Sequence, residues 1–364
     1  MGMLNFRNLR VALGACVVLA ATANGAFAAV TGSGCSPSTG SQSSSSDKGC
    51  SFDSGGLKST FISGGTMSYG NLITGGGGSG GPNGGNASIN GNSRLALSSR
   101  DTGVAGAGAG SKWNAWLSLS QSKVAYDYQP LQSSGRVNVA LIGVDYTFSN
   151  SVTVGLAAGW DETRVNTTFN GGNLNTKGNM FAPYLSWRIN QSWTLDASVG
   201  WGRSDVNQTD NSVVGGITGT SKDDRSIASL AISYNRQIGK WYLTGRGAYL
   251  GAQDKLSQVN LSNGTTVAAS TVNAGQVRIG GQAMYLAGSI MPYVGLHYIN
   301  DVQRQSQASI GGVNAANDRD AFQLQLGVQF SGKGPVYGGL MFATDVGRSQ
   351  VKNDLFMGNI GIRF

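Results

Sequence analysis

The chain has 364 residues, of which 57 are glycine, 6 are proline and only 12% are charged, with Lys+Arg 26 against Asp+Glu 18. A soluble domain normally carries about 25% charged residues, so the deficit means disorder, a repetitive fibre, or a surface that faces something other than water. Glu162 is the only glutamate, which argues against long solvated helices, and the cations are scattered singly, which argues against a nucleic-acid patch.

Residues 1–28 read as a signal peptide. Arg7 and Arg10 form a positive start, Val11 to Ala23 is an uncharged apolar run, and Ala26-Phe27-Ala28 supplies the small residues Ala26 and Ala28 of a cleavage site. The run is too short to span a membrane as a helix. Leu13-Gly14-Ala15-Cys16 resembles a lipoprotein box, but only two apolar residues separate it from Arg10, leaving almost no hydrophobic stretch before it. Export exposes the remaining cysteines, Cys35 and Cys50, to an oxidising compartment, where a disulfide is expected; the alternative, metal binding, has no His or second Cys pair beside it.

Residues 29–92 are low-complexity linker chemistry, including Ser43 to Ser46, Gly75 to Gly78 and Gly80-Gly81-Pro82. Their few apolar residues, such as Phe61, Ile62 and Tyr69, are too sparse for a core, so this Gly/Ser-rich segment is expected to be largely unstructured. Residues 93–111 form a further linker in which Ser93-Arg-Leu-Ala-Leu-Ser-Ser-Arg100 has room for two helical turns.

From residue 112 to 364 apolar residues alternate with polar or small ones. Phe322, Leu324, Leu326, Val328 and Phe330 fall on one face, with Gln323, Gln325, Gly327 and Gln329 on the other. Trp193 to Gly202 and Val152 to Asp161 repeat the pattern. Marking every such run predicts twelve strands, beginning near Trp113, Arg136, Val152, Lys177, Trp193, Arg225, Trp241, Gln276, Ile290, Asp320, Val336 and Asp354. Most are ten or more residues long, which suits a tilted strand crossing a bilayer. Tight links such as Asn190-Gln-Ser192 alternate with long polar segments at 164–176, 206–224, 256–274 and 302–319. Short turns on the periplasmic side and long loops outside are the pattern of outer-membrane barrels. The expected fold is therefore all-β: a single 12-stranded antiparallel transmembrane β-barrel. Trp113, Phe148, Trp187, Trp193, Trp241, Phe330 and Phe364 lie beside the short turns, where an aromatic girdle belongs.

The inner face collects Arg188, Asp196, Arg246, Arg278, His297 and Arg363, with many Gln, Ser and Gly residues, and predicts a polar lumen suited to water or a threaded polypeptide. The last strand places Phe356, Ile360, Ile362 and the terminal Phe364 on its outer face, like the signal read by outer-membrane assembly machinery, although Asn359 stands where a glycine is usual.

Residues 112–364 resemble the autotransporter β-domain family. The resemblance rests on the order and spacing of Gly155-Leu-Ala-Ala-Gly-Trp160, Phe181-Ala-Pro-Tyr-Leu185 and Trp193-Thr-Leu-Asp-Ala-Ser-Val-Gly200, with the twelve strands and the terminal Phe. It implies an outer-membrane barrel that helps export and display its own N-terminal passenger, a linker held in the pore, and outer-membrane lipid, periplasmic chaperones and the barrel-assembly machinery as partners. The passenger would be short here, since only about 80 residues lie between the signal peptide and the barrel, and its ligand is unspecified. The alternative is a non-secreting outer-membrane pore, or a structural or adhesive barrel acting through its external loops.

No catalytic constellation is present, and nothing calls for a cofactor or a metal. His297, the only histidine, reads as a lumen residue, and a Ser-His-Asp triad would have to be built around it. Asp223 and Asp224 read as solvated loop carboxylates, and Gly75 to Gly78 joins no strand to a helix, as phosphate binding would require. Asn86, Asn90 and Asn92 are available for the linker self-cleavage known in some members of the family.

Overall fold

The computed structural model describes residues 112–127, 132–148, 152–211, 214–303, 319–331 and 335–364. Cys35, Cys50, Ala26, Ala28 and the linker expected at 93–111 lie outside the described residues.

Period-two alternation folds here into long antiparallel strands. These are β1 (Trp113–Tyr126), β2 (Ser133–Phe148), β3 (Val152–Thr167), β4 (Gly172–Arg188), β5 (Trp193–Asp210), β6 (Ile217–Ile238) and β7 (Trp241–Leu256). A small hairpin follows, β8 (Val259–Leu261) and β9 (Thr266–Val267). The chain then continues through β10 (Ser270–Tyr285), β11 (Ile290–Gln303), β12 (Asp320–Ser331), β13 (Val336–Val346) and β14 (Val351–Arg363). Each barrel strand pairs with its sequence neighbour, with β10 beside β7, and β1 pairs with β14, so the sheet closes on itself as a 12-stranded cylinder of β1–β7 and β10–β14. Closure removes the unpaired edges that hydrocarbon does not tolerate.

Alternation decides which way each side chain points. On β12, Leu324 and Leu326 are exposed on the outside while Gln323 and Gln325 are wholly buried within. Of the aromatic residues expected in a girdle, Trp113, Phe148, Trp193, Trp241, Phe330 and Phe364 are exposed at the rim that carries the short turns. Trp113 lies 4.9 Å from Tyr146, Trp193 5.0 Å from Tyr234, and Trp241 5.2 Å from Tyr285, ring centre to ring centre. Inside this rim, aromatic rings lie over glycines of the adjacent strand. A Cβ on Gly143 would stand 2.2 Å from the Trp116 ring, and one on Gly361 equally close to Tyr337, so both positions must stay bare.

The twelve strands are in the expected order, and starts at Trp113, Val152, Trp193, Trp241, Ile290, Asp320 and Val336 coincide with the expected ones. Five of the six starts that follow external connections lie earlier, Asp320 being the exception: Ser133 rather than Arg136, Gly172 rather than Lys177, Ile217 rather than Arg225, Ser270 rather than Gln276, and Val351 rather than Asp354. The expected loops shrink accordingly. Only 168–171 separates β3 from β4, as the 3-10 turn Thr168–Asn170 closed by Gly171 at φ 59°, and only 211–216 separates β5 from β6. The expected loop at 256–274 holds the hairpin β8–β9, whose first strand pairs with β6 at Gly219 and Thr220. The reason is physical. Beyond the lipid band the outer face meets water, so Glu162, Arg164 and Asn166 replace apolar residues and the hydropathy alternation fades while the backbone ladder continues opposite Lys177, Asn175 and Asn173.

Candidate functional site: the barrel lumen

The inward positions build three layers. Near the short-turn rim, Asn114 donates to Asp145 at 2.9 Å, and Trp116 Nε1 donates at 2.8 Å to the Tyr184 hydroxyl, which donates in turn to Asp145 at 2.9 Å. Tyr337 donates to Asn114 at 2.8 Å, and the Arg363 guanidinium lies 4.7 Å from the Tyr337 ring centre. Met284, Met291, Met341 and Met357 are buried in the same cluster as Trp116, Tyr184, Tyr242 and Tyr293. The lumen is thus not uniformly polar, contrary to the expectation from its Gln, Ser and Arg content. Methionine and aromatic bodies line the inner end, with the Tyr184 and Tyr337 hydroxyls hydrogen-bonded.

At mid-height Asp196 accepts from Ser186 at 2.7 Å and from Arg246 Nη1 at 3.1 Å, and Arg246 also reaches Ser233 at 2.9 Å. Arg278 donates to Gln276 at 2.6 Å, and from there the network climbs to the outer end, where Gln276 donates to Asp301 at 2.8 Å and Arg348, in the turn after β13, to the same carboxylate at 2.9 Å. Gln323 donates to Asp345 at 2.8 Å and accepts from Gln325 at 2.9 Å. His297 is buried on β11 opposite Gly280 and Gln323. Arg188 and Arg363 occupy inward-phase positions at the ends of β4 and β14 and are only half-buried.

Higher still, Arg225 bridges Asp161, at 2.9 and 3.0 Å, and Asp223, at 2.7 Å, with all three side chains fully removed from solvent; Ser204 donates to Asp223 at 3.1 Å. This corrects the reading of Asp223 as a solvated loop carboxylate. Extending β6 to Ile217 puts residue 223 on an inward position, and only Asp224, paired with Arg203 at 2.8 Å, faces outward. Asp161 and Arg225 were not singled out in the sequence; carrying the period-two register through the polar stretch before Arg225 is the signal that finds them. Tyr126, Val165, Leu174, Val206, Leu256, Val272 and Val351 form an apolar cluster among the outer ends of the strands. Outside the band, the Arg164 guanidinium hydrogen-bonded to Glu162 holds that carboxyl below the usual carboxylate range.

Among the described residues no group of His, Cys, Asp or Glu could hold a metal ion. No helix of the described residues is long and apolar enough to cross a membrane, which leaves the strands to do so. A closed cylinder with an apolar outside, aromatic residues at its rim and a hydrogen-bonded interior is an outer-membrane β-barrel. The chain matches the family described as autotransporter beta-domain over residues 115–340, most of its length, and belongs to that family. It is an outer-membrane translocator barrel, and translocator domains of this family are not themselves enzymes.

Solved structures with the same fold include the translocator domain of the autotransporter NalP from Neisseria meningitidis. That match has 14% identity, covers 77% of this chain and 96% of that one, and has a TM-score of 0.61. The β-domain of the Bordetella autotransporter BrkA matches at 15%, 70%, 100% and 0.59, and the transport unit of AIDA-I from Escherichia coli at 13%, 77%, 97% and 0.57. At these identities the likeness concerns the fold. No curated protein matches the chain by sequence.

Proposed function

We propose that this barrel anchors and displays its own N-terminal segment, with residues 29–92 as a short passenger and 93–111 as the linker that runs through the lumen. The observation that carries the reading is the position of the first strand. Trp113 and Phe364 exchange backbone hydrogen bonds of 3.1 and 3.0 Å at the short-turn rim, so the chain preceding Trp113 arrives at the periplasmic mouth. From there the lumen is its route outward. The mid-height side chains that line it, Asp196, Arg246, Arg278 and the glutamines of β12, present donors and acceptors suited to a passing polypeptide backbone. In this reading Ala26 and Ala28 mark signal cleavage, the passenger carries a Cys35–Cys50 bridge, and outward-facing Phe356, Ile360, Ile362 and Phe364 are presented to the assembly machinery.

A second reading, a closed non-secreting barrel acting through its external surface, is favoured by the apolar cluster of Val165, Leu174, Val206 and Leu256 at the outer strand ends. The two separate in protease shaving of intact cells that carry an epitope tag inserted after Gly78. Display predicts a tag that is accessible and lost. A tag protected until the outer membrane is opened overturns display and leaves the closed barrel.

A further inference from the structure

Beyond the apolar band, the outer faces of the strands carry two different charge patterns. On the external ends of β4–β7 each outward cation stands opposite an acid. Glu162, Lys177, Asp205 and Lys222 follow one another in register across β3–β6, and Arg203, Asp224 and Lys255 do so across β5–β7. Opposite charges facing each other across strands are stabilising, and like charges are destabilising. The neighbouring strands break this rule. Lys123 is directly opposite Arg136, and Arg136 is directly opposite Arg164, all three exposed. Acids flank the row only at its ends. Asp354, opposite Lys123, accepts from Thr344 at 2.7 Å, and Glu162 is shared between Arg164 and Lys177 at 2.8 and 3.8 Å. Neither Lys123 nor Arg136 has an ion pair among the described residues.

The row is continuous across three strands and lies beyond the apolar band on each. Lys123 and Arg164 stand four residues past the last large apolar outward residue of their strand, Leu119 and Trp160, and Arg136 stands six past Ile142. At a rise of about 3.4 Å per residue and a tilt near 40°, this puts their backbones about 10–16 Å above the last large apolar side chain. Flexible side chains of this kind reach down from there to the headgroup layer. Below the row lie the exposed apolar side chains Leu119, Ile142 and Trp160, with Trp160 opposite the small Ala140. On the far wall, β10–β13, the outward polar residues near the outer strand ends are Asn273, Asn300, Asp320 and Thr344, and the described cation nearest them on this face, Arg319, precedes β12 beside Asp320.

The geometry points to a site on the outer wall of β1–β3 for an anionic lipid of the outer leaflet, a phosphorylated glycolipid of the lipopolysaccharide kind, with its phosphates on Lys123, Arg136 and Arg164 and its acyl chains against Leu119, Ile142 and Trp160. The anion supplies counter-charge where the protein provides an acid only at the two ends of the row and none opposite Arg136. The inference rests on the orientation with short turns in the periplasm, and not on passenger display.

The test is the unfolding temperature of the full-length protein in neutral detergent, titrated with lipopolysaccharide, with the same lipid stripped of phosphate, or with inorganic phosphate. Folding is checked by the heat-dependent gel shift. Lipopolysaccharide is expected to stabilise the wild type. In the variant Lys123→Gln, Arg136→Gln, Arg164→Gln the half-saturating concentration is expected to rise by about tenfold or more, the loss of at least one charge-assisted contact. Without lipid the same variant is expected to unfold at an equal or higher temperature, because the like-charge row is relieved; a structural role predicts a loss in both conditions. Arg136→Lys is expected to keep the response, and Arg136→Gln alone serves if the triple variant does not fold. An unchanged response in the variant, an equal response to the dephosphorylated lipid, or a full response to inorganic phosphate overturns the proposal. Labelling of Asn166→Cys on intact cells by a membrane-impermeant thiol reagent checks the orientation separately, and its absence removes that premise.

Discussion

Arg225 shows how a single residue is held in a place where charge is costly. Its guanidinium reaches Asp161 and Asp223 on β3 and β6, all three side chains wholly buried, so each charge depends on the others for its solvation. Removing one member of such a group leaves the rest uncompensated, at a cost of about 3–5 kcal/mol, whereas removing all of them together is far milder. Arg225→Met is therefore expected to lower unfolding stability in urea by that amount, and Arg225→Met with Asp161→Asn, Asp223→Asn and Asp254→Asn, the last being the buried carboxyl opposite Arg225 on β7, to recover most of it. Full loss in the combined variant would show that packing, not charge, dominates there. At this scale the sequence was partly legible. Asp196, Arg246, Arg278 and His297 stand on alternating runs with clear apolar neighbours, so their inward phase could be read directly. Asp223 could not be read this way, because the residues around it are polar on both faces and no hydropathy contrast marks the direction of its side chain.

Among the elements, a strand has two regimes, and the sequence declares only one of them. Within lipid, Leu326 faces hydrocarbon and Gln325 the interior. Beyond lipid, Asn166 continues the same outer face into water. Leu326→Arg is expected to destabilise the lipid-folded protein by about 2–4 kcal/mol, and Asn166→Arg to be neutral within about 0.5 kcal/mol. Comparable losses at both positions, measured by urea unfolding in bilayers, would mean that lipid reaches the upper half of β3. Strand number, order and inner ends were legible because aromatic residues, tight turns and alternation all coincide there. The outer ends were not, because backbone pairing leaves no compositional trace once both faces are hydrated. The opposed acids and bases of β3–β7 do leave such a trace, visible only after the register is known.

For the whole molecule, the apolar cluster at the outer strand ends bears on whether the barrel passes ions. Val165, Leu174, Val206 and Leu256 are buried on the inner face where a water-filled channel would be polar. The wild-type barrel is expected to conduct little in planar bilayers, and Val165→Ser with Leu174→Ser and Leu256→Ser to raise conductance several-fold. Conductance that is high in the wild type and unchanged in the variant would show that these residues do not obstruct it.

The pairing of the first strand with the last has a consequence in time. The inner rim is completed by contacts such as Tyr337 to Asn114, 223 residues apart in the chain. Such distant partners meet late, after many intervening loops have been ordered. A ribosome that stops short, or a protease that nicks the C-terminus, leaves an open sheet with two bare edges, which the bilayer rejects. The cylinder therefore works as a completeness check, in which only a polypeptide made to its final strand has a stable inserted form.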